Sequence, residues 1–163
     1  MNDRIQILSF NPSHQQQVID LILSIQREYG ISITLADQPD LQAIPTVYQR
    51  DAGNFWVALV DGQVVGTTAL LDFGGRQAAL RKMFVHPDYR GKEWGVGQRL
   101  LDTLMQWAGE QGLTDVFLGT TEMFKAAHRF YEKNGFTQIP RDELPSTFPL
   151  VAVDTRFYHH PLS

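Results

Sequence analysis

The stretch that most restricts the fold runs from Ala78 to Ala108. An alternating segment, "AALRKMFVH", passes through "PDYRGKEWGVG" into a run whose apolar residues stand three and four apart. A period near 2 suits a strand and a period near 3.6 suits a helix, so the segment predicts a strand–turn–helix unit with glycines at the helix start. Val96, Leu100, Leu101, Leu104, Trp107 and Ala108 make the apolar stripe of that helix, which needs a sheet to cover.

The flanking segments supply the sheet. "RIQILSF" reads as a first strand, ended by "NPS", where Asn11 or Ser13 caps a helix carrying Val18, Leu21, Ile22 and Ile25 on one face and stopping at Gly30. "DQPDLQAIPTVYQRDAG" reads as a shorter helix interrupted near Pro45. "NFWVALVDGQVVGTTALLDF" is a hairpin closed by Asp61-Gly62. After the long helix come a strand, "TDVFLGTT", and a helix, "EMFKAAHRFYEKNG". Two last strands follow, "FTQI" and "LVAVDTRFYHH". The expectation is an α/β chain, an α+β mixed sheet in the order β-α-α-β-β-β-α-β-α-β-β, forming a single domain over 1–163.

The glycine-rich helix start suggests a ligand. The first N–H groups of a helix lack internal partners and, with the helix dipole, favour anions. Glycine lets oxygen atoms approach those amides closely. Five Lys/Arg against two acids between Arg81 and Arg99 leave this segment net positive, inside a chain of net charge −4. That contrast suits an anionic small molecule, not nucleic acid, whose binding leans on a basic surface. The segment contains no GxxxxGK[ST] phosphate loop, and Leu100 stands where a dinucleotide fingerprint needs its third glycine. A nucleotide pyrophosphate bound to backbone amides from Lys92 to Gln98 remains. The chain has no cysteine, so disulfides and thiol catalysis are excluded. No apolar run reaches the roughly 20 residues of a membrane span, and "MNDRIQILSF" does not read as a signal peptide, so the expectation is a cytoplasmic protein without membrane contact.

"VHPDYRGKEWGVGQRLL" resembles motif A of the GNAT superfamily of acetyl-CoA-dependent N-acetyltransferases, whose usual pattern is V-x-P-x-(Y/F)-R-G-x-G-x-(G/A). "AAHRFYEKNGF" resembles its motif B, A-x-x-(F/L)-Y-x-x-x-G-F. Two departures stand out. Lys92, Glu93 and Trp94 lengthen the spacing between Arg90-Gly91 and Gly95-Val96-Gly97, and Phe124 occupies a position where many relatives carry asparagine.

The resemblance implies an enzyme that moves the acetyl group of acetyl-CoA to a primary amine, with no metal. It implies that backbone groups of Met83, Phe84 and Val85 hold the pantetheine arm. Arg90, Gly91, Lys92, Glu93, Trp94, Gly95, Val96, Gly97 and Gln98 would surround the pyrophosphate, with Ala127 beside the arm. Tyr131 would give the departing thiolate its proton, since a phenol is a workable acid for a thiolate. The strand position that serves some relatives as a general base is Ala79 here, and Glu28, Asp72 and Glu122 are open substitutes. His86, His159 and His160 read as structural, because adjacent strand histidines face opposite ways. The amine is unidentified; Asp142 and Glu143 in the loop 140–149, and Arg27–Gly30, are candidates to shape its site. Rival readings are another acyl-CoA donor, a CoA-binding module without turnover, and a nucleoside-triphosphate enzyme. The chain is expected to be a monomer or a homodimer pairing through the edge strand "VAVDTRFYH".

Overall fold

In the computed structural model, which describes residues 4–162, all seven strands join one sheet in the order β1-β2-β3-β4-β5-β7-β6. They are β1 (Ile5–Ser9), β2 (Asn54–Val60), β3 (Gln63–Gly74), β4 (Gln77–Val85), β5 (Asp115–Thr120), β6 (Thr137–Ile139) and β7 (Arg156–Pro161). The helices are α1 (Gln15–Glu28), α2 (Ile44–Val47), α3 (Val96–Glu110) and α4 (Lys125–Lys133). The element order matches the one read from the sequence.

The buried strand β2 shows how two cores arise from one sheet. Trp56, Ala58 and Val60 point to one face and pack with the stripe Val96, Leu100, Leu101, Leu104 and Ala108 of α3. Phe55, Val57 and Leu59 point to the other and pack with Val18, Ile22 and Ile25 of α1. Trp107, at the margin of the stripe, is partly buried and donates its indole N–H to the carbonyl of Ala52 at 2.8 Å. The hairpin turn has φ +52° at Asp61 and +81° at Gly62, the doubly left-handed turn that Asp-Gly favours.

Four expectations are corrected. Asn11 caps a single turn, Pro12–His14, that precedes α1, and Ser13 lies inside that turn. The second helix is three short pieces, Leu35–Asp37, Pro39–Gln42 and α2, because Pro39 and Pro45 each remove a donor and restart the chain. The last strand begins at Arg156, not Leu150. The chain turns back before it, with the N–H of Asp154 on the carbonyl of Val151 at 3.0 Å. β7 is also no edge strand: it lies between β5 and β6, so a dimer through "VAVDTRFYH" has no free edge to use. The edges are β1 and β6.

Candidate active site

The site originates in a pairing that stops early. β4 and β5 run parallel only from Gln77–Asp115 to Ala79–Phe117. Beyond those residues β4 continues to Val85 beside β3, and β5 continues to Thr120 beside β7. The strands therefore part into a V. A cavity of about 1310 Å³ opens there, and every residue assigned above to the coenzyme or to proton transfer lines it: Met83 to Val85, Arg90 to Gln98, Ala127 and Tyr131.

One wall is the free edge of β4. The register against β3 shifts at Arg81–Phe84, and Lys82 takes φ +55° within that bulge. Thr67 holds the bulge by donating its hydroxyl to the Lys82 carbonyl at 2.7 Å. The second wall is the start of α3, brought close by Gly66 on β3. A β-carbon there would lie 2.9 Å from Val96 Cγ1 and 3.0 Å from Leu100 Cδ1, so only glycine lets the helix approach this far. Gly95 precedes α3 at φ +65°, its N–H bonded to the Gly91 carbonyl at 3.1 Å. No side chain caps the helix, and the N–H groups of Val96, Gly97 and Gln98 have no backbone partner among the described residues. That leaves a cluster of bare donors facing the cavity.

The charged motif residues divide. Lys92 is exposed at the cavity rim. Arg90 is engaged elsewhere: its guanidinium makes two bonds to Glu28, at 2.9 and 3.0 Å, and its Nε donates to the Val85 carbonyl at 2.8 Å. It ties the end of α1 to the end of β4, and its hydrogen bonds hold the Glu28 carboxyl below its usual range. Trp94 packs edge-on against Tyr89 at 4.7 Å. Gln98 is tied by its amide to Asp102 and Asn134.

Tyr131 is buried among Phe130, Phe136 and Tyr158, and its hydroxyl makes no hydrogen bond among the described residues. Burial first, and then the negative charge of Asp154, push its acidity down, so the phenol stays protonated. The proposed base substitutes are committed to other partners. Glu28 holds Arg90, Glu122 pairs with Arg156 at 3.2 Å, and Asp72 accepts from the backbone of Ala52 and Gly74. Asp142 and Glu143 sit on an exposed turn away from the cavity. Tyr29, from the "REYG" stretch, does line it, edge-on to Phe124 at 4.8 Å. His159 stacks on Phe117 and bonds Asp115, while His160 meets Phe136, on opposite sides of β7.

Sequence reading missed a second group of polar residues. Lys82 is partly buried, bonded to Gln38 at 2.8 Å and paired with Asp40 at 3.4 Å, and the Tyr48 hydroxyl donates to the same Asp40. Burial lowers the Lys82 ammonium from its usual value, with Asp40 opposing. Asp154 projects over β5: a β-carbon at Gly119 would lie 2.5 Å from its Oδ2. Burial raises the Asp154 carboxyl to about 6, against the charges of Arg81 and Lys82, which lower it. Asp40 and Asp154 lie more than a hundred positions apart in the chain, and no local pattern links these residues.

An acetyltransferase (GNAT) domain model matches residues 51–138. The uncharacterised N-acetyltransferase YjgM of Escherichia coli is 32% identical over 126 residues, 73% of this chain and 74% of that protein. N-acetyltransferase family 8 member 2 of Rattus norvegicus is 38% identical over 104 residues, 61% of this chain, which spans only 45% of that relative. Among solved structures, an acetyltransferase of the GNAT family from Staphylococcus aureus Mu50 superposes with a TM-score of 0.93 at 40% identity, over 98% of this chain and 99% of the other. The PaiA N-acetyltransferase of Thermoplasma acidophilum shares the fold, with a TM-score of 0.74 at 18% identity over 99% and 100% of the two chains. The chain belongs to the GNAT family of N-acetyltransferases.

Proposed function

We propose that this N-acetyltransferase takes its acetyl group from acetyl-CoA and passes it to a primary amine by direct attack on the thioester. The observation that carries the reading is the parting of β4 from β5, which opens an unpaired strand edge and an uncapped helix start into one cavity. A pantetheine arm, with two amides, suits the strand edge, and a pyrophosphate suits the bare amides of Val96, Gly97 and Gln98. The Thermoplasma neighbour was solved in complex with coenzyme A. The seven strands among the described residues share one sheet, which supports reading 1–163 as one catalytic domain.

The amine nitrogen attacks the thioester carbon, and the oxyanion that develops meets a β4 backbone N–H, a preorganised donor in a sheltered site. The C–S bond then breaks. The departing thiolate takes the proton of Tyr131, which regains one through solvent from the new amide nitrogen. Burial favours the neutral phenol, so transfer requires a thiolate desolvated against the same wall, where its own basicity also rises. No enzyme nucleophile is needed, consistent with a chain that has no cysteine.

The test is release of free thiol from acetyl-CoA across an amine panel, with succinyl-CoA as a second donor, beside calorimetric binding of CoA. Amine-dependent thiol release from acetyl-CoA supports the reading. CoA binding without turnover on any amine would make the chain a coenzyme-binding module, and stabilisation by ATP-Mg²⁺ but not by CoA would overturn both.

A further inference from the structure

Two opposite charges stand uncommitted on either side of the mouth where β4 and β5 part. Arg81, on β4, lines the cavity half-buried, with its guanidinium 6.0 Å from the centre of the Tyr48 ring. Among the described residues it makes no hydrogen bond and no ion pair. The neighbouring cation differs, because Lys82 is held by Asp40 and Gln38. Across the gap, the Asp154 carboxylate lies directly over Gly119 of β5. Its segment is pinned there by the Thr155 N–H on the Thr120 carbonyl at 2.9 Å. That carboxylate accepts no hydrogen bond among the described residues, although Arg81 and Lys82 are near enough for their charges to act on it. A half-buried guanidinium and a largely buried carboxylate, neither bonded, are costly unless a ligand completes them.

We propose that the acceptor is a small amino acid, seated with its carboxylate on Arg81 and its ammonium on Asp154. The inference rests on the acetyl-transfer reading above and names the class of amine. The geometry distinguishes the two ends of such a molecule. A guanidinium receives a carboxylate through paired N–H donors. Asp154, beside the Tyr131 phenol at the entrance to the gap, holds the nitrogen near the thioester. The ammonium has two protons to lose. One passes to Asp154 and on to solvent, freeing the lone pair that attacks. The second leaves after the C–N bond has formed and balances the proton that Tyr131 gives to sulfur. The charged and titratable groups facing Asp154 are Arg81 and Lys82 from β4 and Tyr131 from α4, with Asp40 behind Lys82.

The experiment compares α-, β- and γ-amino acids with their own primary amides by thiol release from acetyl-CoA. Each pair is tested at pH values that equalise the free-amine fraction. In at least one series the carboxylate form is expected to win in kcat/KM by about 10- to 100-fold, the range of a charge-assisted pair. Arg81→Gln should collapse that preference towards unity, and Arg81→Lys should keep part of it, with CoA affinity by calorimetry unchanged in both. The wild type should show a rise of kcat/KM with pH near 6, and Asp154→Asn should lose it. Gly119→Ala, which displaces the carboxylate by steric contact without removing it, should raise the acceptor KM. Amides reacting as well as acids in every series, or a preference that survives Arg81→Gln, would overturn the proposal while leaving acetyl transfer standing. Thiol release that no amine in any series raises above the amine-free rate would overturn both.

Discussion

Gly95 and Gly97 stand two residues apart in the same cradle, yet alanine should act on them in opposite directions. At Gly95 a β-carbon would meet nothing nearer than the Lys92 carbonyl at 3.9 Å, so no clash opposes it. The strain lies in the backbone: φ is +65°, where an L-residue is disfavoured by about 1–2 kcal/mol. That conformation holds the Gly95–Gly91 and Arg99–Gly95 hydrogen bonds, so the chain relieves strain only by turning the peptides that aim the free amides. Gly97 lies inside α3 without a positive φ, and its added carbon would sit 3.8 Å from Val85 Cγ2 and 3.9 Å from Phe130 Cζ, which is ordinary contact. Replacing a helical glycine with alanine stabilises by about 0.5–1 kcal/mol. At about 2–4 °C per kcal/mol for a chain of this size, Gly97→Ala should raise Tm by about 1–4 °C. Gly95→Ala divides its strain between two readouts. Whatever the free protein keeps appears as a loss of Tm, and whatever it relaxes reappears as lost CoA affinity, up to about 30-fold. Gly97→Ala should leave CoA affinity within about 3-fold, in keeping with a family pattern that admits alanine there. Thermal scans and calorimetric titration with CoA measure both quantities. An affinity loss in Gly97→Ala equal to that in Gly95→Ala, or a Gly95→Ala variant unchanged in both readouts, would refute a cradle built on the Gly95 backbone.

Tyr131→Phe should lower turnover by about 100-fold or more, the scale of a general acid, with CoA affinity unchanged and little loss of stability, because the hydroxyl has no hydrogen-bond partner among the described residues to leave behind. Equal turnover removes Tyr131 from the chemistry. Asp154 makes a prediction about stability. Its folded value of about 6 stands above the usual 3.8, so the fold prefers the neutral acid, and that preference is fully present below about pH 4 and lost as pH rises through 6. Asp154→Asn should therefore be more stable than the wild type at pH 8, by up to about 3 kcal/mol, with the difference closing by about pH 4; equal pH–stability curves would show that the carboxylate is not strained by burial.

What the sequence made legible follows from range. The strand–glycine–helix unit at 78–110 is encoded by residues next to one another: β-branched alternation, a turn that needs left-handed backbone, and a stripe at helical spacing. The hairpin at Asp61-Gly62 is local in the same way. The segment 150–154 misled for a physical reason. Its apolar residues alternate as a strand's do, but Val151 and Val153 line the cavity, where no neighbouring strand among the described residues is present to pair with them. Asp154 read as part of that strand, and only the meeting of β5 with the turn before β7 gives it a role. Arg81 and Lys82 were counted as positive charge in the sequence. The bulge that gives Lys82 its φ of +55° depends on Thr67 of the neighbouring strand, and the Asp40 contact that separates its duties from those of Arg81 depends on an element about forty residues away.

Several polar groups left incomplete are gathered around one cavity. The bare amides of α3, the unpaired edge of β4, Arg81, Asp154 and the Tyr131 hydroxyl all border the same gap. Each is a desolvated donor, acceptor or charge that the fold does not satisfy and that water in a narrow cleft satisfies poorly. A fold selected for stability alone would cap α3 with serine or aspartate and carry the β4–β5 ladder past Ala79. Leaving those groups unfilled lowers stability, and on the proposed function a coenzyme and an amine that complete them would return it as binding free energy. Ligand binding to the folded state should therefore raise Tm in two steps, first with CoA and then with an acceptor bound beside it.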